Sequence, residues 1–263
     1  MTAKEDSASP KSDDAATVVA AGVLAATLAT FCHETLGHGL SCVIEGGRIT
    51  LLTSIWFRCQ GASSLTDAAG PFASLAGGLV AFALLPMSGG NRLLRFFLIL
   101  YGAISLFWFA GQLIDHAIVN GDDFGIIARR NHWPSIWRPL SIALGVAVYA
   151  GGIALTTAAL CRKDTPRWPA IGMAYAAGAA AAVIAGLMWY PAPLRSALEG
   201  LLTLGVAPLG LLVAARRAWR AAGDAAPLPR SWPWIVASMV VFAAFLFAQA
   251  RGLGPLAARG LPH

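Results

Sequence analysis

The chain has 263 residues, of which 57% are hydrophobic and only 12% charged, with a mean hydropathy of +0.65. A soluble domain carries about twice that charged share, so a water-soluble enzyme, a disordered chain and a disulfide-rich secreted scaffold are all excluded. The net charge of +6 is no sign of nucleic acid, because the 19 Lys and Arg lie mostly in short connections between apolar runs, where insertion and anionic head groups favour them.

Met1 to Asp14 is polar and mixed in charge, which predicts a disordered tail. Residues 15–263 read as one polytopic membrane domain. The first span runs from about Ala15 to Ile44, with Asp13 and Asp14 near its N-terminus, where acids suit the helix dipole. Glu45 to Gly61 follows, punctuated by Gly46 and Gly47 and then β-branched and aromatic, leaving a short hairpin or a re-entrant segment open. The second span is about Asp67–Met87 and the third about Arg92–Val119. A polar stretch from Asn120 to Pro134 holds Asp122, Asp123, Arg129, Arg130 and His132.

Four further spans are expected near Ile136–Cys161, Trp168–Tyr190, Leu194–Ala215 and Trp232–Ala250. Trp133, Trp137, Trp168, Trp189, Tyr190, Trp219, Trp232 and Trp234 fall at span edges, as an interfacial belt would place them. The fold class is thus an all-α integral membrane protein of six or seven spans, with a β-element after the first. With seven spans, the N-terminal side collects 11 of the 19 Lys and Arg and the opposite side 8, too thin a margin to orient the chain. Cys42 and Cys59 can pair only if their connection faces an oxidising compartment. Gly70, Ser74 and Gly78 recur every four residues beside Ala69, Ala73 and Gly77, a small-residue face suited to close helix packing.

The chemistry lies in the first span, at His33-Glu34-Thr35-Leu36-Gly37-His38. Two imidazoles and a carboxylate inside an apolar run are functional candidates, since an ionised acid at a helix centre costs about 2.5–3.5 kcal/mol on insertion scales. Two neutral imidazoles can bind zinc, and the adjacent glutamate can take a proton from an activated water. The usual spacing of four leaves the histidines about 40° apart around a helix, whereas a spacing of five leaves about 140°. A one-residue π-bulge repairs this, and Gly37 and Gly39 lower the barrier to it.

The hexapeptide resembles the HELLGH signature of the dipeptidyl peptidase III family in its spacing, although that family's soluble fold does not suit this composition. The membrane context resembles the site-2-protease-like intramembrane zinc metalloproteases. Three segments carry that resemblance across roughly the first half of the chain, about 15–130: His33-Glu34…Gly37-His38 followed by Gly46-Gly47-Arg48, then Ala69-Gly70-Pro71-Phe72, then Gly121-Asp122-Asp123-Phe124-Gly125. The chain departs from that family in the extra residue between the histidines, in Ser74 where an asparagine is usual, and in the lack of an Asp-Gly pair.

The resemblance implies a zinc metallopeptidase acting in or near the membrane. His33 and His38 would be Zn2+ ligands, Glu34 the general base and Asp123 the third ligand. Asp122 is an alternative, as is Asp115 with His116, which shares a helical face with Gln112. The implied partners are membrane lipid and a membrane-protein or peptide substrate, in the plasma (inner) membrane of a prokaryote. Competing readings are a non-catalytic relative, a transporter and a zinc hydrolase of lipid amides. Later spans, about 136–250, offer almost no ionisable group beyond Glu199, which speaks against transport.

Overall fold

A computed structural model describes residues 12–161, 168–221 and 227–259. The chain is an all-α multi-pass membrane protein with one small hairpin, and seven described helices are long and apolar enough to cross a membrane. In chain order, α1 spans Ala15–Ile44. The strands β1 (Arg48–Leu52) and β2 (Phe57–Gln60) form an antiparallel pair with a register irregularity between Ile49 and Leu51. Then come α2 (Ser64–Ala83), α3 (Arg92–Val119) and a short α4 (Asp122–Arg130). The remaining helices are α5 (Trp137–Leu160), α6 (Trp168–Leu187), α7 (Pro193–Arg220) and α8 (Trp232–Ala250).

The helix starts follow from their caps. Asp14 accepts from Thr17 N at 2.9 Å, Ser63 from Leu65 N at 2.9 Å and Asn91 from Leu94 N at 3.0 Å, so each of these starts has an orphan N–H capped. Asp13 and Asp14, which composition assigns to the tail, are therefore ordered. Asp13 also accepts from Leu228 N at 2.7 Å. Residues 1–11 of the expected tail lie outside the described residues.

The most enclosed span is α3, whose Phe96, Ile99, Ala103, Phe107 and Ala110 are fully buried. Against it pack α1, α2, α5 and α7. Helix α1 also meets α6 closely at Gly22, where a Cβ would stand 2.0 Å from the Ala174 carbonyl oxygen. Small residues permit such backbone approach where apolar side chains would only match lipid. In α7, a π-helical turn at Leu202–Val206 precedes Pro208, so the expected kink comes with a broken ladder.

Two expectations change. The polar stretch after α3 is a helix for most of its length, because Phe124, Ile127 and Ala128 share one apolar face that packs inward. Trp189 is not interfacial: it is fully buried beneath the C-terminal segment and donates from Nε1 to the Ala257 carbonyl at 2.9 Å. Of the two alternatives left open after α1, the structure has the hairpin, and its β1 edge is covered by that same segment. Leu52 and Leu253 exchange backbone bonds of 2.9 and 2.8 Å. The Cys42–Cys59 pair is a disulfide, joining the end of α1 to β2.

Candidate metal centre

Residues Cys32–Gly39 of α1 form a π-helix. A π turn takes up one residue more than an α turn, so a five-residue spacing returns to nearly the same face. His33 Nε2 and His38 Nε2 consequently stand 3.2 Å apart. Asp123 completes the group, with Oδ2 3.7 Å from His33 Nε2 and Oδ1 3.4 Å from His38 Nε2. The three side chains are buried and form a group able to hold a metal ion.

The donor set fits a tetrahedral metal. With zinc–nitrogen bonds of about 2.0–2.1 Å, neighbouring ligand atoms lie about 3.3 Å apart; the two imidazole nitrogens stand at 3.2 Å, and each meets a different oxygen of Asp123 at 3.7 and 3.4 Å. His38 Nδ1 is 2.8 Å from the Thr66 carbonyl, which can only accept, so Nδ1 carries the proton and the neutral ring turns its Nε2 lone pair inward. His33 Nδ1 lies 2.9 Å from the Ser74 hydroxyl. Such outer partners orient metal-ligating imidazoles. His38 Nε2 and the Asp123 carboxylate thus converge as acceptors beside His33 Nε2, opposed by one amide: Gln112 Nε2 donates to Asp123 Oδ2 at 3.1 Å and lies 3.5 Å from His33 Nε2. A cation between them removes the repulsion.

Packing fixes both rings. His33 stacks on Trp108 at 4.2 Å and His38 on Phe57 at 5.2 Å. Thr66, whose carbonyl holds His38, is itself tied by its hydroxyl to the Glu45 carboxylate just beyond α1. The small-residue face of α2 lets it lie against the motif: a Cβ on Gly37 would be 2.6 Å from Gly70 Cα.

Asp123 arrives by a tight backbone reversal. Asn120 and Asp122 both adopt left-handed φ values, 52° and 53°, a conformation that costs a side chain roughly 1 kcal/mol or more. Two contacts hold this turn. Phe124 N donates to His116 Nδ1 at 3.3 Å, and His116 Nε2 sits 3.6 Å from Asp122 Oδ2. Among the three aspartates left open by sequence, the structure brings Asp123 to the histidines. Asp122 points to His116, and Asp115 is exposed at the rim of the neighbouring cavity. Burial alone would raise the Asp123 carboxyl, but positive charge beside it, foremost on His38 when that ring is protonated, holds it well below the usual carboxylate range.

Glu34 is 3% exposed, and its Oε2 has no hydrogen-bond partner among the described residues. It borders a cavity of about 240 Å³ that also reaches His33, His38, Phe57, Gln112 and Glu199. That volume admits water, which can solvate a carboxylate that would otherwise be costly to bury.

Three contacts escape sequence reading. Ser74 and Thr66 act on the histidines from 41 and 28 residues away, and only the small-residue face of α2 hinted at that proximity. Gln249, buried in α8, accepts from Thr35 Oγ1 at 2.8 Å and donates to the Thr53 carbonyl at 2.9 Å. A lone glutamine in an apolar late span was the available signal. It ties the last helix to the motif and to the hairpin loop.

The π turn itself is testable. Deleting Leu36, which is half exposed on the outer face of α1, should let the segment relax to a regular α-helix with the histidines four apart. Zinc affinity, read by competition with a chromophoric chelator, should stay within about tenfold of wild type. An alanine inserted after Leu36 should abolish binding. Loss of zinc on deletion would contradict the π turn as the device that absorbs the extra residue.

Comparison with protein-family models, with curated proteins and with solved structures returned no match.

Proposed function

We propose that the chain is a membrane-embedded zinc metallopeptidase, similar to site-2 proteases, that hydrolyses peptide bonds in or near the membrane. The supporting observation is the convergence of His33, His38 and Asp123 beside the buried Glu34 carboxylate, whose Oε2 has no hydrogen-bond partner among the described residues. The three would hold Zn2+, which when bound acidifies water and polarises a carbonyl. Glu34 accepts the proton of the attacking water and delivers it to the leaving amine, so it ends the cycle ionised. The Thr66 carbonyl keeps His38 in one tautomer, Ser74 orients His33, and Gln112 holds one oxygen of Asp123.

The hairpin has a part in this reading. Its β1 edge is occupied by residues 253–256, whereas β2 brings Phe57 and Arg58 to the cavity wall. A substrate segment laid along β2 would be extended by backbone pairing, which a helical peptide needs before its carbonyl is reachable. The bilayer reading, with a prokaryotic plasma (inner) membrane as the setting, supplies substrates as membrane-protein or peptide segments.

Purified protein in detergent should cleave a fluorogenic peptide library, lose that activity on dialysis against a chelator and regain it with about one equivalent of zinc. Cleavage that persists after chelation would contradict the metallopeptidase reading.

A further inference from the structure

The paired cysteines carry an inference about which side of the membrane the site serves. Cys42 lies one turn beyond His38 on α1, and Cys59 lies two residues beyond Phe57, the ring stacked on His38. The bond therefore pins the strand that roofs the centre to the helix that carries its ligands. The turn between them is fitted around it: a Cβ on Gly47 would stand 2.6 Å from Cys59 Sγ.

The chain's own contacts assign the two faces. Leu253, after the seventh span, pairs with Leu52 of the hairpin, so the hairpin and the end of α8 share one face. At the opposite face Asp14 N donates to the Leu228 carbonyl at 3.0 Å and Arg92 Nη1 to the Pro227 carbonyl at 3.1 Å. Cys161, exposed at the end of α5, belongs to that second face. Counted by span order along the sequence, 11 of the 19 Lys and Arg fall on the side of the first span's start and 8 on the other, a bias in the direction expected of a cytoplasmic side. Disulfides persist on the other side, in an oxidising compartment. The charge bias was too small to orient the chain alone, but the disulfide points the same way by separate chemistry.

We propose that the hairpin face lies outside the cytoplasm, that Cys42–Cys59 forms there and clamps β2 over the centre, and that substrates reach the site from that non-cytoplasmic side. Formation needs a disulfide-donating oxidant. One thiolate attacks the donor's disulfide, the second displaces the donor from the mixed disulfide, and the donor leaves as a dithiol with the two electrons and two protons. The orientation is independent of the peptidase reading, whereas the clamp on the centre rests on it.

The test uses the full chain, with Cys32→Ser, in the inner membrane of a bacterial host. Spheroplasts are treated with a membrane-impermeant maleimide–polyethylene glycol. The expected result is no tag at first, two tags after an impermeant phosphine reductant is added outside, and a third at Cys161 only after lysis. Tagging of Cys161 in intact spheroplasts would overturn the orientation, and tagging of Cys42 and Cys59 there without reductant would overturn the disulfide. In a second arm, the Cys42→Ser, Cys59→Ser double variant is compared with wild type by zinc competition. The clamp predicts affinity about tenfold weaker or more; equal affinity removes it. If neither protein holds zinc, the metal reading and the clamp fall together while the labelling still decides the orientation.

Discussion

Glu34→Gln is expected to keep its zinc and lose its turnover. The amide has the size of the carboxylate, so the π-helical segment and the ligands His33 and His38 need not move. What it lacks is the capacity to take a proton. A positioned acid–base group contributes about 10²- to 10⁴-fold in rate, so kcat should fall by at least that lower factor while metal content stays at wild-type level. Glu34 Oε2 has no hydrogen-bond partner among the described residues, so few contacts stand to be lost and a folding failure is not expected. A variant with more than a tenth of wild-type turnover would remove Glu34 from proton transfer. Loss of zinc would instead make it part of the binding site.

The second large effect concerns a residue with no side chain. A Cβ at Gly70 would sit 2.1 Å from His38 Nε2 and 2.5 Å from its Cδ2. His38 cannot yield freely, because Nδ1 is held by the Thr66 carbonyl and the ring is stacked on Phe57. The added methyl must push either the imidazole out of the ligand position or α2 away from α1. Overpacking of this kind costs about 1–3 kcal/mol, which seven packed spans can absorb. Gly70→Ala should therefore still insert and purify but bind less than a tenth of the wild-type zinc. Gly78→Ala, on the same face but against Leu106 and Gly102, is the control that should keep its metal. Full zinc occupancy in Gly70→Ala would mean that α2 does not press on the centre.

The two predictions also mark what could be read from sequence. The seven spans were legible because each is a long apolar run bounded by charges, glycines or prolines. The cluster in α1 was legible because ionisable groups are costly there, and the five-residue spacing itself called for a π turn. Asp123 was distinguishable from Asp122 and Asp115 only in three dimensions, since the choice depends on the reversal at Asn120–Asp122 and on His116 taking up Asp122. The helix after α3 was hidden because its polar residues outnumber the three that face inward. Ser74, Thr66, Gln112 and Gln249 act across 11 to 214 residues of chain, and no local period encodes such a distance. The disulfide depended on how close the hairpin returns to α1, which composition does not specify.

The most direct measurement is the metal content of detergent-purified protein, made without chelator and challenged with zinc, with His33→Ala and His38→Ala purified alongside. The expected result is about one zinc per chain in wild type and almost none in either variant. Wild-type protein without stoichiometric metal would contradict the account and leave the two histidines and Asp123 as a polar packing cluster.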